Sequence, residues 1–426
     1  MDDIKIINAC RICSSRKLFP YLDLGLHPLA NSYVSEGNIH KEEFKAPLAV
    51  QLCEDCGLSQ LTCVVNPELM FKHYLYVSST PKTFRDHCAE LAASVREFLK
   101  PGVPCLALDI ASNDGCLLKA FKACGFEIVG VDPAENLAQE ANASGVLTIC
   151  DFWSSTIAQK FNNEGKLFGV ITGTNVFAHV DDVHEFIKAA TICLDKEGIF
   201  VLEFPYVVDF IERNLFDTIY HEHVSYVGVK PVEILLGQYG MEIVDVERFY
   251  DLHGGTIRII AARRGSYPVS GRVGEIVALE ERFGISRKDP YLAFAKRVGQ
   301  NKQALLKLLH EAKNDKRVVW AYGASAKGNT LLNYFEIDNS LVQFIVDDNP
   351  RKWGYYTPGA KIPIGGINDL IKNNGKVHDL LLLAWNFAKE IGQRCIAAGY
   401  EGDFIYPVPE PKRVLKPVKE RIVKDV

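Results

Sequence analysis

Residues 105–115 read CLALDIASNDG, an apolar segment that leads directly into a turn of small and polar residues. The apolar run 105–110 predicts a buried strand, and a helical pattern follows Gly115. This order of strand, turn and helix opens nucleotide-binding α/β domains. The G-x-G-x-x-G pattern of dinucleotide sites is missing from the turn, so a dinucleotide site is not supported.

A second predicted strand, residues 127–131, ends at Asp132, 23 residues beyond Asp109. An acidic side chain at this place can accept hydrogen bonds from both hydroxyls of a ribose. The pairing predicts an adenosyl ligand, with Phe152 as a contact of the adenine ring. The predicted cofactor-binding residues are Asp109, Ala111, Asn113, Gly115, Asp132, Pro133, Asp151, Phe152 and Asn175.

Residues 220–223 read YHEH and place a phenol, two imidazoles and a carboxylate side by side. The histidines are two apart and not four, so they cannot share one helical face toward a metal as in zinc proteases. An extended segment would put His221 and His223 on one side and Tyr220 and Glu222 on the other. Such a run can also be a polar loop. Its place beyond the predicted strand 199–203, at the same sheet edge as His179, favours proton-transfer chemistry.

Two cysteine pairs stand near the start of the chain, Cys10 with Cys13 and Cys53 with Cys56, separated by 39 residues. Four thiolates in two close pairs suit tetrahedral zinc. Accidental pairs or a redox turn are the alternatives, but neither pair lies between a predicted strand and helix. A closed site of four thiolates has no open position for a substrate, so we expect the zinc to be structural.

A second strand, turn and helix pattern occupies residues 317–329. Such a turn can offer backbone N–H groups and a helix N-terminus to an anion, and Lys327 can add a positive charge. This region is predicted to bind the nucleotide end of a substrate; the alternative is a docking domain with a vestigial nucleotide turn. The predicted substrate-binding residues are Tyr322, Gly323, Ser325, Lys327 and Asn329.

Length and composition restrict the possible classes of protein. A chain of 426 residues with 48% hydrophobic and 24% charged residues is expected to be globular, with two to three domains. A net charge of −5 provides no basic surface, which argues against nucleic acid as the main partner. No run of 18 apolar residues and no signal-peptide pattern is present, so we expect a cytoplasmic protein without a membrane contact.

Four motifs, in this order, resemble the sugar C-methyltransferases that use S-adenosylmethionine (SAM) and act on nucleotide-linked 4-keto deoxysugars. They are the paired CxxC motifs, LDIASNDG at 108–115, TIYHEHVSY at 218–226 and YGASAKGN at 322–329. The resemblance covers nearly the whole chain. It implies an α/β fold with a zinc-binding module at 1–72, a central class I methyltransferase Rossmann-like domain at 73–289, and a second Rossmann-like domain at 290–426.

The resemblance implies methyl transfer from SAM to a ring carbon, C3, beside the keto group of a TDP- or GDP-linked sugar. It implies SAM and structural Zn²⁺ as cofactors, and it leaves the nucleotide, the sugar configuration and the oligomeric state open. It places Tyr76, His179, Tyr220, Glu222 and His223 in the active site; His221 is added from its position alone. We expect His223 to be the base, with Glu222 or His221 to orient it. Competing functions are N- or O-methylation, RNA methylation by a zinc-ribbon protein, and non-catalytic binding of a nucleotide sugar.

Overall fold

The computed structural model describes residues 3–71, 82–250, 252 and 254–415. The chain forms two compact units. Unit 1 comprises residues 1–20, 51–209 and 222–288, and unit 2 comprises residues 21–50, 210–221 and 289–426. The chain therefore passes from unit 2 into unit 1 between His221 and Glu222, inside the YHEH run. The three-domain division at residues 72 and 289 stays a prediction.

The N-terminal region consists of short strands. They are β1 (Ile4–Ile6), β2 (Leu18–Pro28), β3 (Val34–Ser35), β4 (Lys45–Cys53), β5 (Ser59–Leu61) and β6 (Cys63–Val65), followed by helix α1 (Glu68–Phe71). In unit 1, β1 pairs antiparallel with β6. The first cysteine pair lies between β1 and β2, and the second pair begins at the end of β4.

Helices and strands alternate through the central region, as predicted. The elements are α2 (Lys82–Phe98), β7 (Leu106–Ile110), α3 (Cys116–Ala123), β8 (Glu127–Val131), α4 (Glu135–Ala143), β9 (Thr148–Ile149), α5 (Ser155–Asn163), β10 (Phe168–Thr174), α6 (Val183–Cys193), β11 (Leu194–Pro205), α7 (Val207–Glu212), β12 (Ser225–Tyr226), α8 (Val229–Gly237), β13 (Met241–Phe249) and β14 (Thr256–Arg263).

Seven of these strands form one sheet in the order β13-β14-β11-β10-β7-β8-β9. Strands β7 to β11 run parallel, and β14 is antiparallel to both of its neighbours. Strand β10 is apolar and buried over residues 168–172, which is expected for a parallel strand with both faces covered by helices. Because β7 lies between β8 and β10, the chain reverses its direction of winding there, and ligands of such sheets bind at the carboxyl ends beside this point.

Helix α2 packs against one face of this sheet. Its buried residues recur at helical spacing and include Phe84, Cys88, Leu91 and Val95, which join the apolar core with residues of β7 and α3. The opposite face of the helix is charged and exposed.

The C-terminal region repeats the α/β plan. Its elements are α9 (Gly271–Phe283), α10 (Lys288–Asn314), β15 (Val319–Tyr322), α11 (Ala326–Phe335), β16 (Ile345–Val346), β17 (Tyr355–Tyr356), β18 (Ile364–Gly365), α12 (Ile367–Lys372), β19 (Asp379–Leu382), α13 (Ala388–Ala397), β20 (Asp403–Tyr406) and β21 (Lys412–Val414). Short 3-10 turns occur at Glu36–Asn38, Phe177–His179, Phe216–Thr218, Pro350–Lys352 and Trp385–Phe387.

The sheet of unit 2 has the order β18-β16-β15-β19-β20-β21, and only β21 is antiparallel to its neighbour. Strand β15 has β16 on one side and β19 on the other, so a second point of reversed winding lies between β15 and β19. The predicted second α/β domain is confirmed. Of the helices in the described part of the chain, none has the length and apolar character needed to cross a membrane.

Candidate active site and metal centre

The loop after β7 is held in place by Asp132 at the end of β8. Oδ2 of Asp132 accepts the backbone N–H of Asn113 at 2.8 Å, and Oδ1 accepts the N–H of Ala134 at 2.8 Å. Each carboxylate oxygen keeps a lone pair for a further donor, such as a ribose hydroxyl. Burial raises the pKa of Asp132 above its ordinary value. The loop itself turns through left-handed backbone at Ala111, Asn113 and Gly115, where φ is 57°, 51° and 75°.

Asp109 lies near the end of β7, directly before this loop. Its carboxylate is buried, and the hydroxyl of Thr172 donates to Oδ1 at 2.6 Å. Burial raises the pKa of Asp109 to about 7, although the bond from Thr172 acts in the opposite direction. The side chain is therefore bonded to Thr172 of the neighbouring strand β10, and a part of Asp109 in cofactor binding stays a prediction.

The remaining predicted cofactor residues lie at the ends of neighbouring strands. Pro133 follows β8, Asp151 and Phe152 follow β9, and Asn175 follows β10. Phe152 is 42% exposed, so the side chain is accessible to a purine ring. Asn175 has a φ of 55° and donates its N–H to the carbonyl of Glu203 at 2.7 Å. The sheet thus brings the predicted residues to one edge.

We expect Asp132→Asn to raise the Kd for SAM by about 10- to 100-fold, because hydrogen bonds to a charged acceptor contribute about 1.5–3 kcal/mol. The amide also cannot accept at both positions. Isothermal titration with S-adenosylhomocysteine measures the change, and Glu127→Gln, an exposed acid at the opposite end of the same strand, is the matched control. An unchanged Kd would exclude Asp132 from the ribose site.

The second cluster at this edge contains the two histidines, His179 and His223. Their ring centroids lie 4.8 Å apart with the ring planes at 87°, and the ring centroid of Phe71 lies 5.7 Å from that of His179. Burial lowers the pKa of His179 to about 4, so its imidazole is neutral at neutral pH. Glu222 is buried and His223 is half-buried beside it. The structure therefore unites two residues that the sequence placed in one site.

The first half of the YHEH run belongs to unit 2. Nε2 of His221 lies 3.2 Å from the carbonyl oxygens of both Ala46 and Pro47, so this nitrogen carries the donated hydrogen. Burial lowers the pKa of His221, which keeps the ring neutral. This geometry fits an anchoring role in unit 2 better than the orienting role expected from the sequence. Tyr220 is buried, and Tyr76 lies outside the described residues.

A buried charge cluster at the end of β11 was missed by sequence reasoning. Oε1 of Glu203 lies 2.7 Å from Nε2 of His87, and Oε2 lies 2.9 Å from Nε of Arg258. Burial raises the pKa of Glu203, but His87 and Arg258 outweigh it and the net shift is downward. The cluster fixes the strand end whose carbonyl accepts the Asn175 N–H. The available signal was a carboxylate directly after the apolar run 199–202, since a buried charge requires partners.

The four predicted cysteines come together in unit 1. The Sγ atoms of Cys10 and Cys56 lie 3.5 Å apart, as do those of Cys13 and Cys53, and all four lie within 4.8 Å of one another. A tetrahedral zinc ion with Zn–S bonds of about 2.3 Å requires sulfur separations of about 3.8 Å, so the donor set fits zinc. Among the described residues, this is the one group of three or more potential ligands close enough to hold a metal ion.

The two CxxC turns, residues 10–13 and 53–56, are the zinc knuckles, and both are closed by the same backbone hydrogen bond. The N–H of Ser14 donates to the carbonyl of Cys10, and the N–H of Gly57 donates to that of Cys53, each at 2.9 Å. Ser14 and Gly57 adopt left-handed backbone, with φ of 58° and 85°. A Cβ at Gly57 would also lie 3.1 Å from the Ile285 side chain, so glycine is favoured there for two reasons.

The turn after β15 requires a correction to the predicted anion site. The N–H of Gly323 already donates to the Val346 carbonyl, and that of Ala324 donates to Oδ2 of Asp347, both at 2.7 Å. The Ser325 hydroxyl accepts the N–H of Gly328 at 3.1 Å and caps α11. These three N–H groups are therefore not available to an anion. Asp347 here takes the bridging position that Asp132 has in unit 1.

The predicted side chains of this turn divide into two groups. The Tyr322 hydroxyl donates to Asp348 at 2.7 Å, and the buried Asn329 amide donates to the Ala30 carbonyl at 2.7 Å, so both are bonded within unit 2. Lys327 is half-buried, and its Nζ lies 4.9 Å from the Trp385 ring centroid. Burial lowers the pKa of Lys327. Lys327 follows β15 and Trp385 follows β19, so the pair marks the point of reversed winding in this sheet.

Three segments of the chain match known families. Residues 10–71 match a zinc binding domain, residues 84–246 a methyltransferase domain, and residues 251–409 the C-terminal domain of C-methyltransferases. The C-methyltransferase NovU of Streptomyces niveus is 33% identical over 416 residues, which cover 96% of this chain and 98% of NovU.

Other known proteins are similar over a smaller part of the chain. A ubiquinone biosynthesis O-methyltransferase of Bartonella tribocorum is 34% identical over 95 residues, or 22% of this chain and 38% of that protein. Among solved structures, magnesium protoporphyrin IX methyltransferase (ChlM) from Synechocystis with bound SAM aligns at 14% identity and a TM-score of 0.32, over 42% of this chain and 79% of that chain.

Proposed function

The chain belongs to the family of SAM-dependent C-methyltransferases, and from this premise we propose that it methylates a ring carbon, C3, next to the keto group of a nucleotide-linked 4-keto deoxysugar. Its cofactors are SAM, bound by a class I methyltransferase fold, and zinc, bound by the four cysteines. The observation that carries the proposal is the contact between His179 and His223. The two rings lie at the same sheet edge as the loop after β7, residues 111–115, which we call the donor loop because it is assigned to the methyl donor.

Carbon methylation requires a nucleophilic carbon, and a sugar provides one most readily beside a ketone. When bound, SAM supplies an electrophilic methyl group on a sulfonium. His223 removes the proton from the carbon beside the ketone, and the electron pair moves toward the keto oxygen. The resulting enolate carbon bonds to the methyl group, the methyl–sulfur bond breaks with its electrons on sulfur, and His223 later releases the proton to water. The products are the methylated sugar and S-adenosylhomocysteine.

The neighbouring side chains supply orientation and charge stabilisation. Glu222, buried next to His223 in the chain, is assigned to orient the base. His179 is neutral at neutral pH, so it can donate an N–H to the keto oxygen as negative charge develops there. By the resemblance, Tyr220 and Tyr76 add hydroxyl donors to the same oxygen or to sugar hydroxyls.

The nucleotide end of the substrate is assigned to unit 2. Open α/β sheets bind ligands where the winding reverses, which in this unit lies between β15 and β19. Lys327 and the Ser325 hydroxyl provide donors there, and Trp385 adds an aromatic surface. A diphosphate and a base could be held by this chemistry, and both TDP- and GDP-linked sugars fit the assignment.

The proposal is tested by incubating the enzyme and SAM with a panel of TDP- and GDP-linked 4-keto deoxysugars and reading products by mass spectrometry. We expect one keto sugar to gain a methyl group on carbon and, without SAM, to exchange the proton beside the ketone in deuterium oxide. The corresponding 4-hydroxy sugars are the control and should react in neither assay. Methylation of an amine or hydroxyl without carbon exchange would contradict the proposal.

A further inference from the structure

The geometry points to Arg11, which lies between the cysteines of the first zinc knuckle, as a positioning residue for the catalytic histidines. This inference rests on the proposed function for the roles of His179 and His223. The contacts that carry it are all within unit 1 and join the knuckle to the two chain segments that directly follow these histidines.

The first contact holds the segment after His223. Nη1 of Arg11 donates to the carbonyl oxygen of Val224, the next residue, and lies 3.2 Å from the hydroxyl of Ser225. The same carbonyl accepts the N–H of Leu61 at 3.0 Å, so two donors from the zinc-binding region fix it. The backbone position of His223 is therefore tied to the knuckle through one peptide group.

The second contact holds the segment after His179. Nη2 of Arg11 lies 3.5 Å from Oδ1 of Asp181, two residues beyond this histidine. Nε2 of His184, in the first turn of α6, lies 3.0 Å from the carbonyl oxygen of Ile12, also within the knuckle. Two consecutive knuckle residues therefore contact the stretch that leads from His179 into α6.

The Arg11 side chain is buried, so its charged guanidinium depends on these contacts for hydrogen-bond acceptors. Its side chain is only 5% exposed, and its backbone N–H is bonded to Oε1 of Gln60 at 3.1 Å. A guanidinium taken out of water requires several acceptors at once, and its planar fork can serve two separate segments where a single ammonium cannot. The acceptors here come from the two catalytic segments. Zinc fixes the knuckle backbone, so the metal and the histidines are connected through Arg11.

The test is Arg11→Met, which keeps much of the side-chain volume but removes all five donors. We expect kcat to fall by about 10- to 100-fold, since a shift of about 1 Å in a catalytic group can cost a hundredfold. Zinc content and the Kd for SAM should stay unchanged. Arg11→Lys should recover part of the lost kcat. Arg16→Met, which removes an exposed arginine of the same region, should have no effect.

Amide hydrogen exchange of residues 222–226 should accelerate in Arg11→Met, and this readout needs no turnover. A kcat within twofold of the unchanged enzyme would overturn the inference. So would a loss of zinc in parallel with kcat, because Arg11 would then act on the metal site; if the methionine variant does not fold, Arg11→Lys carries the same comparison. If the unchanged enzyme methylates no keto sugar, the proposed function fails, while the exchange result still decides whether Arg11 holds the segment.

Discussion

Replacement of His223 by asparagine is expected to lower kcat by about 10²- to 10⁴-fold, the range that general base catalysis contributes. The amide can keep a hydrogen bond in place of the imidazole, but it cannot take up a proton. The variant should therefore also lose exchange of the sugar proton in deuterium oxide. SAM binding should not change, because the donor loop is held by Asp132 and not by this histidine.

The imidazole next to His223 is uncharged at neutral pH. His179, whose ring lies 4.8 Å away, has its pKa lowered to about 4 and is neutral above about pH 5. It therefore does not repel a proton on His223 at neutral pH.

The comparison is made by calorimetry for SAM and by the exchange assay for the sugar proton. His310→Asn, a histidine on the exposed face of α10, is the control and should retain full activity. Retained exchange in His223→Asn would show that another group is the base. A loss of SAM binding would instead show that the substitution disturbs the donor loop.

Local sequence patterns were sufficient for the sheet edge but not for the side-chain networks around it. The strand, turn and helix at 105–115 and the acid at Asp132 follow from short-range rules, and parallel strands carry their carboxyl ends to one edge. His179 and His223 follow β10 and β11 respectively, so their meeting could be predicted. The bonds from Asp132 to the loop follow from the same geometry.

The contacts of Arg11 and Glu203 could not be predicted, because each depends on packing between segments distant in sequence. Arg11 bonds to Val224, 213 positions away. The turn after β15 is a different case. Asp347 follows β16 as Asp132 follows β8, so its bond from the N–H of Ala324 could be predicted from the same geometry, and the predicted anion site overlooked it.

Removal of zinc is expected to unfold the N-terminal part of unit 1, because the short strands there depend on the metal for much of their stability. Strands β1, β5 and β6 have three residues each, and structural zinc contributes on the order of 10–16 kcal/mol to the folding of zinc-finger peptides. Chelation, or Cys53→Ser with Cys56→Ser, should therefore lower Tm and add a separate early transition in calorimetry. Cys150→Ser, an exposed thiol outside the site, is the control and should melt unchanged.

Activity should be lost together with the metal, although no thiolate takes part in the chemistry. Without zinc the knuckle backbone is released, and Arg11 and Ile12 no longer hold the segments after His223 and His179. SAM binding should decline less than kcat, because the donor loop follows β7 and is held by Asp132 at the end of β8. A zinc-free enzyme with full kcat and an unchanged melting profile would contradict both the structural role of the metal and its connection to the histidines.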